Sequence, residues 1–175
     1  MKSLTALSLS IGVLGGVATW LALGPLAGTI LIWAVFVAWA AFFAVGGNSG
    51  AMVNTIVCGI FGAVCAWVAA FIILKFPMSD SVGGLPVWAA IVVAITVIIL
   101  VMAANIPALS TIPASVLGYA STFAFLLQTP EKLSLANLMS SVPADNALIT
   151  IAASIVVGAI FGMVSGSLAG ALTSD

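Results

Sequence analysis

Six runs of apolar residues, each about 20 residues long and free of charged side chains, limit what this chain can fold into. They cover about residues 4–23, 26–45, 51–74, 87–104, 107–128 and 147–171. An α-helix rises about 1.5 Å per residue, so about 20 residues cross a hydrocarbon layer of about 30 Å. The runs therefore predict an all-α polytopic membrane protein with about six transmembrane helices, in which residues 1–175 form a single transmembrane domain.

The charged residues agree with this prediction because they are few and lie outside the runs. They make up 4% of the chain, whereas about 25% of the residues of a soluble domain are charged. Much of the surface is therefore expected to face a lipid bilayer. Three lysines and a net charge of −1 provide no basic surface for phosphate groups, so nucleic acid is excluded as a partner.

Prolines and polar residues mark where several helices are expected to begin. Pro25, Pro86 and Pro107 each stand at the start of a run, where the missing N–H costs a helix nothing because that group has no partner within the helix. Asn48 or Ser49 precedes the third run and is placed to cap it. These signals predict where the second, third, fourth and fifth helices begin.

An internal repeat relates the two halves of the chain. Segment 59–70 of the third run aligns with segment 159–170 of the sixth at a constant offset of 100 residues, with Ile, Phe, Gly, Val and Ala at matching positions. The second and fifth runs align at an offset near 80, which matches Trp39 with Tyr119. The first and fourth runs do not align convincingly.

Three helices in each half would make the halves run in opposite directions across the membrane. The halves are about residues 1–75 and 86–171, and an odd number of spans makes the second half enter from the opposite side. The sequence thus predicts an inverted three-plus-three repeat with a pseudo-twofold axis in the membrane plane, an architecture found in many transporters. The change from an offset of about 80 to one of 100 falls in the loop of residues 129–146. A short interfacial helix is expected in this loop, over residues 133–139.

Small residues at every fourth position give some helices a smooth face. Residues four apart lie on the same side of a helix, and small ones let a neighbouring backbone approach closely. We expect these faces to pack helices together, within one subunit or between the subunits of a homo-oligomer; a narrow solute path lined by glycine backbone is the alternative. The glycines concerned are Gly12, Gly16, Gly62, Gly158, Gly162, Gly166 and Gly170.

Aromatic and polar side chains in or near the runs are the candidates for a solute path. Aromatics recur at spacings of three and four in the second run, and deep indole and phenol groups need hydrogen-bond partners. Asn105 lies just before Pro107, and a kink at Pro113 would free backbone carbonyl groups nearby. A packed core is the alternative for the aromatic groups, and a capped and kinked helix is the alternative for the segment of Asn105. The candidate path residues are Trp33, Phe36, Trp39, Phe43, Asn54, Asn105, Tyr119, Phe123 and Ser154.

The remaining polar residues of the runs are uncharged, which limits the chemistry. They include Thr29, Thr55, Thr96, Ser115, Ser121, Thr122 and Ser165. Proton coupling generally uses a titratable residue inside the membrane, so it is disfavoured, although sodium could still bind carbonyl and hydroxyl oxygens. The chain has no histidine and no cluster of metal ligands in its sequence, so we expect no catalysis, no metal and no cofactor.

Two alanine- and glycine-containing segments carry a resemblance to a known family. They are Trp-Ala-Ala-Phe-Phe-Ala-Val-Gly-Gly at residues 39–47 and a segment at residues 104–118 that begins Ala-Asn-Ile-Pro, with Phe123 after it. In these segments, and over about residues 5–170, the chain resembles the YcdZ-like family of small bacterial inner-membrane proteins. The resemblance implies a multi-pass protein of the bacterial cytoplasmic membrane with a domain of unknown function, and it carries over no functional residue.

Three functions fit these patterns. The leading hypothesis is a small membrane channel or facilitator for a small uncharged or weakly polar solute, uncoupled to protons. The first alternative is a non-transporting membrane scaffold or accessory subunit, with a dry interior and glycine faces occupied by a partner. The second alternative is a sodium-coupled secondary transporter. A water-wide passage through the folded protein would favour the channel over the scaffold.

Overall fold

The chain folds into a bundle of α-helices joined by short turns and one longer loop. The computed structural model describes residues 1–78 and 83–173. Within these residues the α-helices are α1 (Ser3–Leu23), α2 (Ile32–Ala44), α3 (Ser49–Lys75), α4 (Leu85–Met102), α5 (Ile112–Gln128), α6 (Leu135–Leu138) and α7 (Ala147–Leu172). The all-α prediction is confirmed, and α6 lies inside the range predicted for a short loop helix.

Four helices of the described chain are long and apolar enough to cross a membrane. They are α1, α3, α7 and the stretch Leu85–Asn105, in which a 3₁₀ turn extends α4. In contrast, α2 has 13 residues and α5 has 17, which correspond to lengths of about 20 and 26 Å. The runs at 26–45 and 107–128 are therefore only partly helical, and six full-length helical spans are not found among the described residues.

The second helix begins later than its proline predicts. Pro25 lies in a turn, Gly28 has a φ of +77°, and α2 starts only at Ile32. Leu31 is extended, and its N–H donates to the Ser154 hydroxyl at 2.9 Å. The prediction that Pro25 opens a helix is wrong, because this segment packs its backbone against α7 instead of forming another helical turn.

The prediction of a kinked fifth helix is also wrong. Pro113 lies in the first turn of α5, where a proline breaks no helical hydrogen bond. Two 3₁₀ turns precede the helix, and Ile106 between them is extended, as expected for a residue before a proline. Pro86, by comparison, lies in the first turn of α4 as predicted, and the Asn48 side chain accepts a hydrogen bond from Ala51 N–H and caps α3 as predicted.

Two helix pairs and a central contact organise the bundle. α3 packs mainly against α5, α2 packs mainly against α7, and α3 and α7 also contact each other. The outer helix α1 covers α7, and the outer helix α4 covers α3. The Trp67 indole N–H donates to Leu138 O at 2.9 Å, which fixes the loop of residues 129–146 against the end of α3.

Candidate functional site: a cavity between the crossed helices

Glycines bring α3 and α5 into backbone contact. A Cβ atom added at Gly62 would lie 1.8 Å from the Ser115 carbonyl oxygen, and one at Gly118 would lie 1.9 Å from the Gly59 carbonyl oxygen. No side chain fits at such distances, so only glycine permits this approach. The prediction that Gly62 packs helices is consistent with this contact.

The crossing of α2 and α7 is nearly as close. A Cβ atom at Gly158 would lie 2.3 Å from the Val35 carbonyl oxygen, and one at Gly162 would lie 2.6 Å from the Phe42 ring. The glycine stripe of α7 therefore receives the backbone of α2 at one position and an aromatic side chain at the next.

The other predicted packing glycines lie against open space or at an ordinary contact distance. A Cβ atom at Gly12, Gly16 or Gly170 would meet nothing within 4 Å, and one at Gly166 would meet Phe43 at 3.8 Å. Contacts of these glycines with a second subunit therefore stay a prediction, which the single chain does not test.

A small cavity lies where the four inner helices meet. Its volume is about 10 Å³, which is room for about one water molecule. We call it the central cavity, and its wall comes from α2, α3, α5 and α7. The wall residues are Ala34, Val37, Ala38, Ala41, Thr55, Gly59, Ala114, Leu117, Gly118, Ser121 and Ile155.

Two hydroxyl groups are the polar side chains on this wall. Thr55 is 1% exposed, and its Oγ1 has no hydrogen-bond partner in the described part of the chain. Ser121 is also buried and lines both the central cavity and a groove between α2 and α5, as do Val37 and Leu117. The cavity and the groove are therefore neighbours that share part of their walls.

None of the nine predicted path residues lines the central cavity. Three have hydrogen-bond partners elsewhere in the interior. The Trp39 indole N–H donates to Ser165 Oγ at 2.9 Å, and the Tyr119 hydroxyl shares a hydrogen bond of 2.9 Å with Thr96 Oγ1. The Ser154 hydroxyl donates to Thr150 O at 2.7 Å. The bonds of Trp39 and Tyr119 join two helices each, whereas that of Ser154 lies within α7.

Of the remaining aromatic candidates, Phe36 and Phe43 lie together, and Phe123 and Trp33 lie elsewhere. Phe36 stacks on Trp39 with ring centroids 5.6 Å apart, and Phe43 lies in the same apolar cluster. Phe123 packs against Tyr119 with centroids 5.2 Å apart. Trp33 lines the groove between α2 and α5. Phe36, Trp39 and Phe43 together line an apolar groove of about 230 Å³.

The two asparagine candidates lie on the outer surface. Asn54 and Asn105 are both exposed, and the Asn105 side chain donates to Met102 O at 2.8 Å. Asn105 thus closes the end of α4, while Asn54 lies one residue before the buried Thr55. The part of Asn54 and Asn105 in a solute path stays a prediction.

A larger hollow of about 430 Å³ opens between α3, α4 and α5. The side chains of its described wall are all apolar, and two of them, Pro77 and Leu85, flank in sequence residues 79–82, which lie outside the described chain. Among residues 1–78 and 83–173 no three His, Cys, Asp or Glu side chains group together as metal ligands would.

The fold and the family of the chain can be stated, and neither assigns a function. The fold is that of an α-helical membrane protein with a small central cavity. The chain belongs to the DUF1097 family of proteins of unknown function, whose model matches residues 8–170. No curated protein and no solved structure matches the chain.

Proposed function

We propose that this protein is a membrane channel or facilitator for a small uncharged or weakly polar solute, uncoupled to protons. The observation that carries the proposal is the composition of the central cavity wall. Ten of its eleven residues form five pairs that the repeat relates. A site on the symmetry axis of an inverted repeat is where transporters of this architecture bind their solutes.

The pairs follow the two offsets seen in the sequence. An offset of 80 relates the residues of α2 to those of α5, and an offset of 100 relates α3 to α7. The unpaired wall residue is Gly59, whose counterpart is Ala159. The five pairs are Ala34 with Ala114, Val37 with Leu117, Ala38 with Gly118, Ala41 with Ser121, and Thr55 with Ile155.

Contacts away from the cavity support the same relationship. Trp39 of α2 donates a hydrogen bond to Ser165 of α7. The counterpart of Trp39 is Tyr119, and the counterpart of Ser165 is Cys65; these two residues lie in one cluster between α5 and α3. The contact of α2 with α7 therefore corresponds to the contact of α5 with α3, as a twofold axis requires.

The helix directions also support an inverted repeat. α3 and α7 run antiparallel. Gly59 contacts Ile155 within α7, whereas Trp67, later in α3, bonds to Leu138, which precedes α7 in the chain. α2 and α7 run parallel, since Leu31 bonds to Ser154 and Trp39 bonds to Ser165. Equivalent helices in an inverted repeat cross the membrane in opposite directions.

The outer helices α1 and α4, which the sequence did not align, make comparable contacts. Ser10 of α1 donates to Ser165 O at 3.0 Å, and Thr96 of α4 lies beside Cys65, the counterpart of Ser165. Ser10 and Thr96 are 86 residues apart, and this one pair supports α4 as the counterpart of α1 in the proposed repeat.

The surroundings of the cavity favour a neutral solute without proton coupling. Each described charged residue lies at a helix end, in a loop or at the N-terminus, so no titratable carboxylate or ammonium group lines the cavity. We also propose a homo-oligomer in the lipid bilayer, based on the open glycine faces. The resemblance to the YcdZ-like family supports the bacterial cytoplasmic membrane as its location.

Reconstitution into liposomes tests the proposal. Shrinkage and reswelling are followed by stopped-flow light scattering in a panel of small amides, polyols and amines. We expect at least one solute to cross faster than through empty liposomes, with a rate that does not depend on a sodium gradient. If no solute does so, the channel is rejected; a sodium-dependent rate would instead indicate a coupled transporter.

A pair of matched variants locates the route. Ala41 is 2% exposed and lines the central cavity, so Ala41→Val should fill space on the route and slow the flux several-fold. Ala40 is the neighbouring residue but is exposed, so Ala40→Val should leave the flux unchanged. Equal fluxes for both variants, with both proteins folded, would place the route elsewhere.

A membrane scaffold is the second candidate, and the tightness of the bundle favours it. The approach at Gly62 and Gly118 and a cavity no larger than about one water molecule are also expected of a packed, non-conducting core. The scaffold predicts no flux above that of empty liposomes for any solute, so the same assay separates the two functions.

A further inference from the structure

The hydroxyl group of Thr55 differs from most other hydroxyls in the interior of the bundle. A serine or threonine in a helix commonly donates to a carbonyl group three or four residues earlier. Thr55 makes no such bond and has no other partner in the described chain, although burial of an unpaired hydroxyl is costly. The residues that do bond back are Ser10, Thr19, Thr96, Thr122, Ser154 and Ser165.

The position of Thr55 suggests a reason for the difference. Thr55 lines the central cavity, and the second buried hydroxyl without a partner among the described residues, that of Ser115, does not. Ser115 is instead pressed against Gly62 at the crossing of α3 and α5. Thr55 therefore borders a cavity and Ser115 does not, while the oxygen atoms of both hydroxyls are themselves buried.

The size and lining of the cavity define what fits. A volume of about 10 Å³ is close to the minimum for one water molecule, which also needs polar partners. Thr55 and Ser121 supply hydroxyl groups, and the remaining wall side chains are apolar. An ion would lose its hydration shell here without a compensating charge. A neutral molecule the size of water, able to donate or accept hydrogen bonds, fits these limits.

We propose that the central cavity is a binding site for a single water-sized neutral molecule, water or ammonia, held by the Thr55 hydroxyl. Ser121 supplies the second hydroxyl of the wall. The binding site stands independently of transport. Its further role, as the point at which the channel selects its solute by size and hydrogen bonding, rests on the proposed function.

Thermal unfolding of the purified full-length protein tests the binding site without any flux. Thr55→Val keeps the shape of the side chain and removes the hydroxyl. If that hydroxyl holds a molecule, we expect the Tm to fall by about 2–4 °C, and Thr55→Ser to stay near the wild-type value. An equal or higher Tm for Thr55→Val would overturn the proposal, because removal of a truly unpaired buried hydroxyl is neutral or stabilising.

Ser115→Ala is the matched control, since its hydroxyl is also unpaired among the described residues but has no cavity beside it. Its Tm should not fall. A measurement on the wild-type protein covers the case in which Thr55→Val does not fold. A nuclear Overhauser effect from water to the Thr55 methyl group is expected, and none from water to Ser115. If Thr55 shows no such effect, and added ammonia gives none either, the binding site is rejected.

Flux measurements distinguish water from ammonia and separate this inference from the proposed function. Osmotic shrinkage reports water, and a pH-sensitive dye inside the liposomes reports ammonia. We expect Thr55→Val to lower the rate of the selected molecule about fivefold, the ratio that one hydrogen bond of ordinary strength gives. If Thr55→Val lowers the Tm but no solute crosses, the binding site is retained and the channel is rejected. If a solute crosses and Thr55→Val changes neither its rate nor the Tm, the channel is retained and the binding site is rejected.

Discussion

Gly62 and Ser115 stand so close that a Cβ atom at residue 62 would lie 1.8 Å from the Ser115 carbonyl oxygen. This contact sets the distance between α3 and α5. Gly62→Ala should force the helices apart and lower the free energy of unfolding by about 1–3 kcal/mol or more, as overpacking of a core does. Thermal unfolding in detergent, followed by the loss of the monodisperse peak on gel filtration, measures the effect.

Gly16→Ala is the control for this substitution. The space around Gly16 is open within the chain, and alanine is favoured over glycine in a helix by up to about 1 kcal/mol. The control should therefore be as stable as the wild type or slightly more stable. Equal stabilities for Gly62→Ala and Gly16→Ala would show that α3 and α5 do not approach as described.

The two buried hydrogen bonds of Trp39 and Tyr119 should have similar strengths. Trp39→Phe removes the bond to Ser165 Oγ, and Tyr119→Phe removes the bond to Thr96. A typical bond of this kind contributes about 1 kcal/mol to stability, and the loss of indole volume adds to the effect at Trp39. Denaturant unfolding should show both losses.

Trp20→Phe serves as the comparison for both substitutions, because Trp20 is 65% exposed. It should change the free energy of unfolding by less than about 0.5 kcal/mol. If Tyr119→Phe were as stable as Trp20→Phe, the hydrogen bond to Thr96 would have no net value and the packing around Tyr119 would account for its burial.

Asn146 should contribute more to stability than an ordinary helix cap. Its side-chain oxygen Oδ1 accepts from the N–H groups of Leu148 and Ile149, and its side-chain Nδ2 donates to Leu138 O at 3.0 Å and Ser140 O at 2.8 Å. Loss of a cap costs about 0.5–2 kcal/mol, and each further bond adds about 1 kcal/mol. Asn146→Ala should therefore lower stability more than Asn48→Ala, which removes the cap of α3 alone. Similar effects in urea unfolding would mean that the loop bonds contribute little.

Apolar run length predicted the existence of the helices well, because a bilayer needs about 20 apolar residues and the chain has few charges to place elsewhere. The beginnings of α2 and α5 were not predictable in this way. Gly28 and the bond from Leu31 to Ser154 shorten α2 through a contact more than 100 residues away in sequence. A local signal such as Pro25 contains no information about such a contact.

The central cavity was harder to predict than the fold. The polar side chains in the apolar runs led to Trp39 and Asn54 as candidates. The wall of the central cavity consists largely of alanine and glycine, which no sequence motif distinguishes from ordinary helix packing. The internal repeat did contain usable information, since four of the five wall pairs follow the offset of 80 that aligns α2 with α5. Thr55 could have been selected from the polar residues only by knowing that its hydroxyl is unpaired.

The ion pair between Lys132 and Asp145 should stabilise the loop only slightly. The two side chains are 27% and 34% exposed, and pairs near the surface typically contribute about 0.2–1 kcal/mol. A double-mutant cycle of Lys132→Ala and Asp145→Ala should give a coupling energy in this range that decreases as salt is raised. Glu131→Gln, next to the pair, should leave the coupling unchanged. A coupling that does not change with salt would indicate a pair shielded from solvent.

The exposed glycines of α1 should affect assembly rather than folding. Gly12 and Gly16 are exposed and lie four residues apart, a spacing that favours close helix contact in membranes. Replacing both with leucine should lower the subunit number measured by native mass spectrometry from nanodiscs. The Tm of the monomer should not fall, because a Cβ atom at either site meets nothing within 4 Å in the chain and leucine favours a helix more than glycine does. Val13→Leu, at a residue that is 64% exposed, controls for added bulk on the same helix. An unchanged subunit number would place the interface elsewhere, and a monomeric wild type at every concentration would reject the homo-oligomer itself.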